Sequence, residues 1–245
     1  MEGIRTATGL RPFELGPSPS RSAVGCGDVG TDVERERRLA AEAAAALIED
    51  GMTVGLGTGS TAGHFLAALA RRGLDVRCIA TSPATEAAAT ELGLRLEPFD
   101  TPGALSRLDI AVDGADQIAP DGWVVKGNGG AHTREKVVAA AADRFVVIAS
   151  SEKLVAQIAA PIPIELLAFG VEATLAELAY ASRRNAPPTP DGGVLVDWVG
   201  PVDDPSELAQ QLSATPGVVD HGLFPPELVS ETLVGRRDAV ERAPR

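Results

Sequence analysis

The chain has 245 residues, 44% hydrophobic, 23% charged and only 4% aromatic; it is long enough to bury a core, which must be built mainly from Ala, Val, Leu and Ile. A formal net charge of −12 argues against a nucleic-acid partner held through its phosphate backbone, but not against one small anion gripped by two or three local cations. Cys26 and Cys78 offer neither a disulfide framework nor metal-ligand spacing, and no apolar stretch is long enough to span a bilayer, so a cytoplasmic protein without a membrane partner is expected.

Residues 1–30 are rich in Gly, Pro, Ser and Arg without an apolar period, and read as a disordered leader rather than a signal peptide. From there the pattern predicts a helix over 34–50 and a short buried strand over 52–56, then a Gly-rich loop and a helix to about residue 72. A strand at 76–80, a helix at 85–92, extended pieces at 94–96 and 108–112, a helix from about 133 to 142 and a strand at 145–149 follow. Strands alternating with helices predict an α/β unit with a largely parallel sheet. Beyond residue 158 the texture changes to an extended segment at 161–164, a helix at 171–183, a Pro-rich loop, a strand at 194–199, a helix at 205–213 and extended chain near 217–219. That order predicts a small α+β lobe.

Three constellations carry chemistry. The run Gly55-Leu-Gly57-Thr58-Gly59-Ser60-Thr61 stands between a strand and a helix, where unpaired N–H groups and hydroxyls favour an anion, although a Ser or Thr merely capping the helix would look similar. It also fits a loose dinucleotide fingerprint, but the second strand ends in Thr81-Ser82 with no carboxylate for a ribose, which argues against a nicotinamide cofactor. The run Asp109-Ile-Ala-Val-Asp113-Gly114-Ala115-Asp116 puts Asp113 at the carboxyl end of a strand. Asp113 and Asp116 face a pocket or form an Asx-turn; a metal site is disfavoured because no third ligand stands at a suitable spacing. The run Lys126-Gly127-Asn128-Gly129-Gly130-Ala131-His132-Thr133-Arg134-Glu135 sets a cation before flexible backbone and a carboxylate in the first turn of a helix. Dipole stabilisation with Thr133 as N-cap accounts for Glu135 but not for the lysine and three glycines before it.

Together these motifs resemble the A-type ribose-5-phosphate isomerase family, over most of residues 37–235 and including Ser151-Glu152-Lys153 and the Pro161-Ile-Pro-Ile-Glu165 segment. The resemblance implies interconversion of ribose 5-phosphate and ribulose 5-phosphate through an enediolate, in the pentose phosphate pathway, without metal or organic cofactor. By position Glu135 matches the base that carries a proton between C2 and C1. Asp113, Asp116 and Lys126 match the groups for ring opening, hydroxyl proton transfer and stabilisation of the intermediate. Thr58, Gly59, Ser60, Thr61, Gly114, Ala115, Gly127, Asn128, Gly129 and Lys153 match substrate-binding positions.

The same resemblance implies a Rossmann-like domain over 31–157 plus 226–245, a ferredoxin-like lobe over 158–225, and a homodimer or homotetramer. This sequence departs from the family pattern at Arg37, where many members have Lys, and at His132, where an apolar residue is usual and a packed, non-catalytic role is expected. The loop 189–194 matches the family's small-lobe turn only loosely. A sugar-phosphate sensor module and an amino-sugar-phosphate isomerase of related fold are the alternatives, and the lysine–glutamate motif weighs against both.

Overall fold

The computed structural model describes residues 29–244. The expected leader therefore lies outside the described residues, except that Val29 and Gly30 already belong to the first helix, α1 (Val29–Ala45). Next come β1 (Thr53–Leu56), α2 (Ser60–Arg71), β2 (Arg77–Ala80), α3 (Pro83–Glu91), β3 (Arg95–Leu96) and β4 (Ile110–Asp113). Two short strands, β5 (Gln117–Ile118) and β6 (Val124–Val125), precede α4 (His132–Ala141) and β7 (Phe145–Ser150).

The remaining elements are β8 (Ile162–Leu166), α5 (Val171–Glu177), β9 (Ala181–Arg183), β10 (Val194–Trp198), α6 (Pro205–Ala214), β11 (Val218–His221), β12 (Leu223–Phe224), β13 (Glu231–Arg236) and β14 (Ala239–Pro244). Local chemistry starts two of the helices. Ser82 and Asp204 accept backbone N–H groups as N-caps of α3 and α6, each followed by a proline at the first helical position.

The main sheet has seven strands in the order β14-β13-β7-β4-β1-β2-β3, parallel except for the β13–β14 hairpin. Its central strands β1, β4 and β7 are buried on both faces, as parallel strands covered by helices must be. Ala40, Ala44 and Ile48 meet Phe65 and Leu69 over one face, while Val138 and Ala139 of α4 pack with Ile79 and Val147 on the other. The chain runs outward from β1 through β2 to β3, then returns to place β4 on the opposite side of β1. This reversal opens a crevice at the carboxyl ends of β1 and β4.

The order β8-α5-β9-β10-α6-β11, with sheet order β11-β8-β10-β9 and antiparallel pairing, is the ferredoxin-like arrangement. A third sheet, β12-β6-β5, was not anticipated; its strands are two residues each, too short for a periodicity to register. It matters because β6 ends immediately before Lys126.

Two expected elements differ. The helix expected over 34–50 stops at Ala45, and the guanidinium of Arg72 donates to the carbonyls of Ala45 and Ile48 at and just beyond its end. The helix expected over 171–183 ends at Glu177. Ala181–Arg183 instead pairs with Val196–Trp198, and the Tyr180 ring packs edge-on against Trp198 at 5.1 Å, so tertiary pairing overrides the local preference.

Candidate active site

The loop after β1 owes its shape to two contacts that only folding creates. Gly57 passes so close to β4 that a Cβ there would lie 2.0 Å from Asp113 Oδ1, which side chains at this position cannot avoid. That same oxygen accepts from Thr58 N at 3.0 Å and from Gly114 N at 2.7 Å, joining the first two motifs. Behind the loop, Thr58 Oγ1 lies within 2.9–3.1 Å of the hydroxyls of Thr81, Ser82 and Thr85, and Thr85 Oγ1 donates to Gly57 O at 3.0 Å. The N-cap of α2 is Gly59 and no side chain caps it, so a mere capping role for the hydroxyls is set aside. The first N–H groups of the helix are left for a ligand.

Lys126 enters from β6, held at that place because its N–H donates to Gly222 O at 2.9 Å beside β12. Its ammonium donates to Gly114 O at 2.7 Å and stands 2.9 Å from Asp113 Oδ2 and 3.2 Å from Glu135 Oε2. The three side chains are 3–5% exposed. Asp113 Oδ2 and Glu135 Oε2 face the ammonium without a well-aligned hydrogen bond, so each keeps lone pairs free.

Burial, then the neighbouring Asp113 charge, pushes the Glu135 carboxyl up to about 8 against the pull of Lys126. Burial also raises Asp113, opposed by Lys126 and by the Gly114 and Thr58 N–H groups. Burial by itself would lower Lys126, but the two carboxylates together lift it above the ordinary lysine value, so it stays charged. Of the two carboxyls, Asp113 holds the backbone donors, Thr58 N and Gly114 N, that favour its ionised form.

A cleft of about 390 Å³ collects these features. Every expected substrate-binding residue lines it: Thr58, Gly59, Ser60, Thr61, Gly114, Ala115, Gly127, Asn128, Gly129 and Lys153. Asp116, Lys126, Glu135 and Arg37 line it too, whereas Asp113 stands behind Gly57 and Lys126 and does not. Asp116 accepts from Asn128 N at 2.9 Å, tying the second motif to the third. A larger cavity of about 620 Å³ opens on the other side of α4, between Phe99, Arg134 and Asp191, but none of the expected site residues lines it. The buried Lys126 and Glu135 meet at the wall of the smaller cleft.

Some residues that build the site carried no signal in the sequence. Arg184 donates to the carbonyls of Gly127 and Asn128 at 2.9 and 3.1 Å while its fork is held by Asp197, so the small lobe braces the glycine loop. Thr133 is not an N-cap of α4, whose N-cap position is Ala131; its hydroxyl donates to the buried Glu165 of β8. Glu165 also accepts from Thr189 Oγ1 at 2.6 Å, and Asp191 receives two hydrogen bonds of 2.7 Å from Arg134. His132 is fully buried beneath Gly127, whose φ of 101° suits glycine and where a Cβ would lie 2.6 Å from the imidazole Nδ1. Burial, then Lys136, draws that imidazole down to about 3, so it is neutral. Among the described residues no group of three or more His, Cys, Asp or Glu is placed to hold a metal ion, and no helix is long and apolar enough to cross a membrane.

The family model described as ribose 5-phosphate isomerase A (phosphoriboisomerase A) matches residues 77–239. Ribose-5-phosphate isomerase A of Caulobacter vibrioides is 44% identical over 223 residues, spanning 84% of this chain and 96% of its own. The enzyme of that name from Gluconobacter oxydans is 41% identical over 229 residues, covering 86% and 97%. Among solved structures, ribose 5-phosphate isomerase A from Methanocaldococcus jannaschii superposes with a TM-score of 0.79 at 32% identity, over 85% of this chain and 98% of that one. A D-ribose-5-phosphate isomerase in complex with phospho-erythronic acid gives 0.80 at 32% identity, over 87% and 99%.

Proposed function

From the premise that the chain belongs to the ribose 5-phosphate isomerase A family, we propose that its 390 Å³ cleft is where the sugar phosphate reacts, with Glu135 as the proton carrier. The protein is an aldose–ketose isomerase that interconverts D-ribose 5-phosphate and D-ribulose 5-phosphate. A sensor module and an amino-sugar-phosphate isomerase fall away with that assignment.

The reaction carries a proton from C2 to C1 and another from the C2 oxygen to the C1 oxygen, through an enediolate. It needs a base stronger than a free carboxylate and a fixed positive charge beside the developing oxyanion. Glu135, raised by its burial, supplies the first; Lys126, kept charged by two carboxylates, supplies the second. Asp116 lines the cleft and is suited to the sugar hydroxyls and ring opening. Asp113 acts from behind, holding both Lys126 and the Thr58 N–H. The uncapped start of α2, with Arg37 and Lys153, takes the phosphate.

One observation carries this reading: a buried ammonium seated 2.9 Å from one carboxylate and 3.2 Å from another, one of which opens on the cleft. Following ribulose 5-phosphate formation from ribose 5-phosphate with Lys126→Ala tests it. Turnover at the wild-type level in that variant would remove Lys126 from the reaction.

The reading extends to organisation. Residues 31–157 plus 226–245 form the catalytic domain and 158–225 the small lobe, supported by the separate seven- and four-stranded sheets; β12 crosses between them to pair with β6. The exposed Leu167, Phe169, Tyr180, Val199 and Val219 all lie in that lobe and support a homodimer or homotetramer, which light scattering would size. The buried free thiol of Cys78 fits a reducing, cytoplasmic setting, and the family's pentose-phosphate substrates support a place in the pentose phosphate pathway.

A further inference from the structure

Arg37 and Lys153 reach the cleft from different elements, Arg37 from α1 and Lys153 from the 3₁₀ turn Ser151–Lys153 that follows β7. Between them stands Glu152. Its Oε1 accepts from Arg37 Nη2 at 2.8 Å and from Ser150 Oγ at 3.3 Å, and lies 3.9 Å from Lys153 Nζ. A single carboxylate oxygen thus faces both cations that line this end of the cleft.

The spacing of the two cations is set from below by Glu36, the neighbour of Arg37. Its buried carboxylate accepts from Ser151 N at 2.9 Å, from Ser151 Oγ at 2.7 Å and from Arg237 N at 2.7 Å, clamping α1 onto the turn that carries Glu152 and Lys153. Glu152, by contrast, has a side chain 41% exposed, so it can swing into water without opening the core. Glu152 leaves part of Arg37 unmatched: Nε is buried with no acceptor among the described residues, and Glu34 stands 3.8 Å from Nη1. An arginine fork and an ammonium suit a phosphate dianion, with its three acceptor oxygens, better than they suit one carboxylate oxygen.

We propose that Glu152 is a specificity-determining residue: its carboxylate competes with the substrate's phosphate for Arg37 and Lys153, so that a ligand must displace it to engage both cations. This rests on the reading that this end of the cleft takes the phosphate. Glu152 takes one unit from the positive charge of the two cations, beyond what Glu34 already offsets at Arg37, and the cleft end then holds a dianion less tightly and weak monoanions barely at all.

The test is steady-state kinetics of wild type, Glu152→Gln and Glu152→Ala at one ionic strength, with ribose 5-phosphate as substrate and inorganic phosphate as inhibitor. Removing the competing charge lowers both the KM and the inhibition constant of phosphate about two- to fivefold, the scale of a partly exposed ion pair, with kcat little changed. Agreement between the two variants excludes a new hydrogen bond from Gln as the cause. Constants that stay the same or rise would overturn the proposal, because the carboxylate would then orient Arg37 rather than compete for its ligand. Phosphate failing to compete with substrate in wild type and both variants would instead overturn the phosphate assignment of this end of the cleft, and this proposal with it.

Discussion

Replacing Glu135 by Gln keeps the size and hydrogen-bonding capacity of the side chain and removes the lone pair that accepts a proton. Loss of a general base costs about 10²–10⁴-fold, and it should fall on kcat with substrate affinity roughly retained. Exchange of the C2 proton with deuterated solvent, followed by proton NMR, should vanish in parallel because it reports the same abstraction. The pH profile adds an independent signature. With its carboxyl at about 8, wild type should gain activity as pH rises toward that value, and the variant should lose this limb.

Stability moves the opposite way. A carboxyl whose folded value lies above the ordinary 4.5 binds its proton more tightly in the folded chain, so wild-type stability falls as pH rises between 4.5 and about 8. The interval corresponds to an upper bound of about 5 kcal/mol; because Asp113 and Glu135 titrate together around one ammonium, we expect about 1–2 kcal/mol. In a chain of this length that is a melting temperature roughly 2–8 °C higher for Glu135→Gln at pH 9, and little difference at pH 5, where the wild-type carboxyl is already neutral. Wild-type turnover in the variant, or an unchanged pH limb, would refute Glu135 as the base and turn attention to Asp116, the other carboxyl on the cleft wall.

Gly57→Ala puts a methyl 2.0 Å from Asp113 Oδ1, so it should break the Asp113–Thr58 hydrogen bond and lower kcat/KM at least tenfold, an effect kinetics at fixed pH would register. Glu165→Gln weakens the grip of β8 on Thr133, two residues from Glu135; kcat should drop about fivefold to thirtyfold with KM less affected, as expected for the loss of about 1–2 kcal/mol in a buried hydrogen bond. An equal fall in kcat/KM through KM alone would place Glu165 outside the support of the base.

Much of the main domain was legible because its signals are local. Strand, glycine loop and helix at 53–71 announce themselves by periodicity and by residues that only a close backbone approach explains, and the Lys126–Glu135 run does the same. Side-chain type and spacing singled out the three runs, and the family resemblance they carry assigned the individual residues that line the cleft. What depends on pairing between distant segments was not legible. The strands β5, β6 and β12 are two residues long; β5 and β6 pair across a short turn, and β12 joins β6 from about a hundred residues further along the chain.

Likewise the stretch 181–183 becomes a strand because β10 offers it a ladder, against its own helical preference. The sequence places Asp113 and Asp116 three positions apart in one motif with no means of separating them. Only the fold puts Asp116 on the cleft wall and Asp113 behind it under Gly57. Electrostatics followed the same division: Glu135 is an ordinary glutamate as a letter in the chain. Its carboxyl is lifted because folding removes water and brings the Asp113 charge to it from the end of β4, more than Lys126 offsets from the end of β6, an effect of distance and burial that no local spacing encodes.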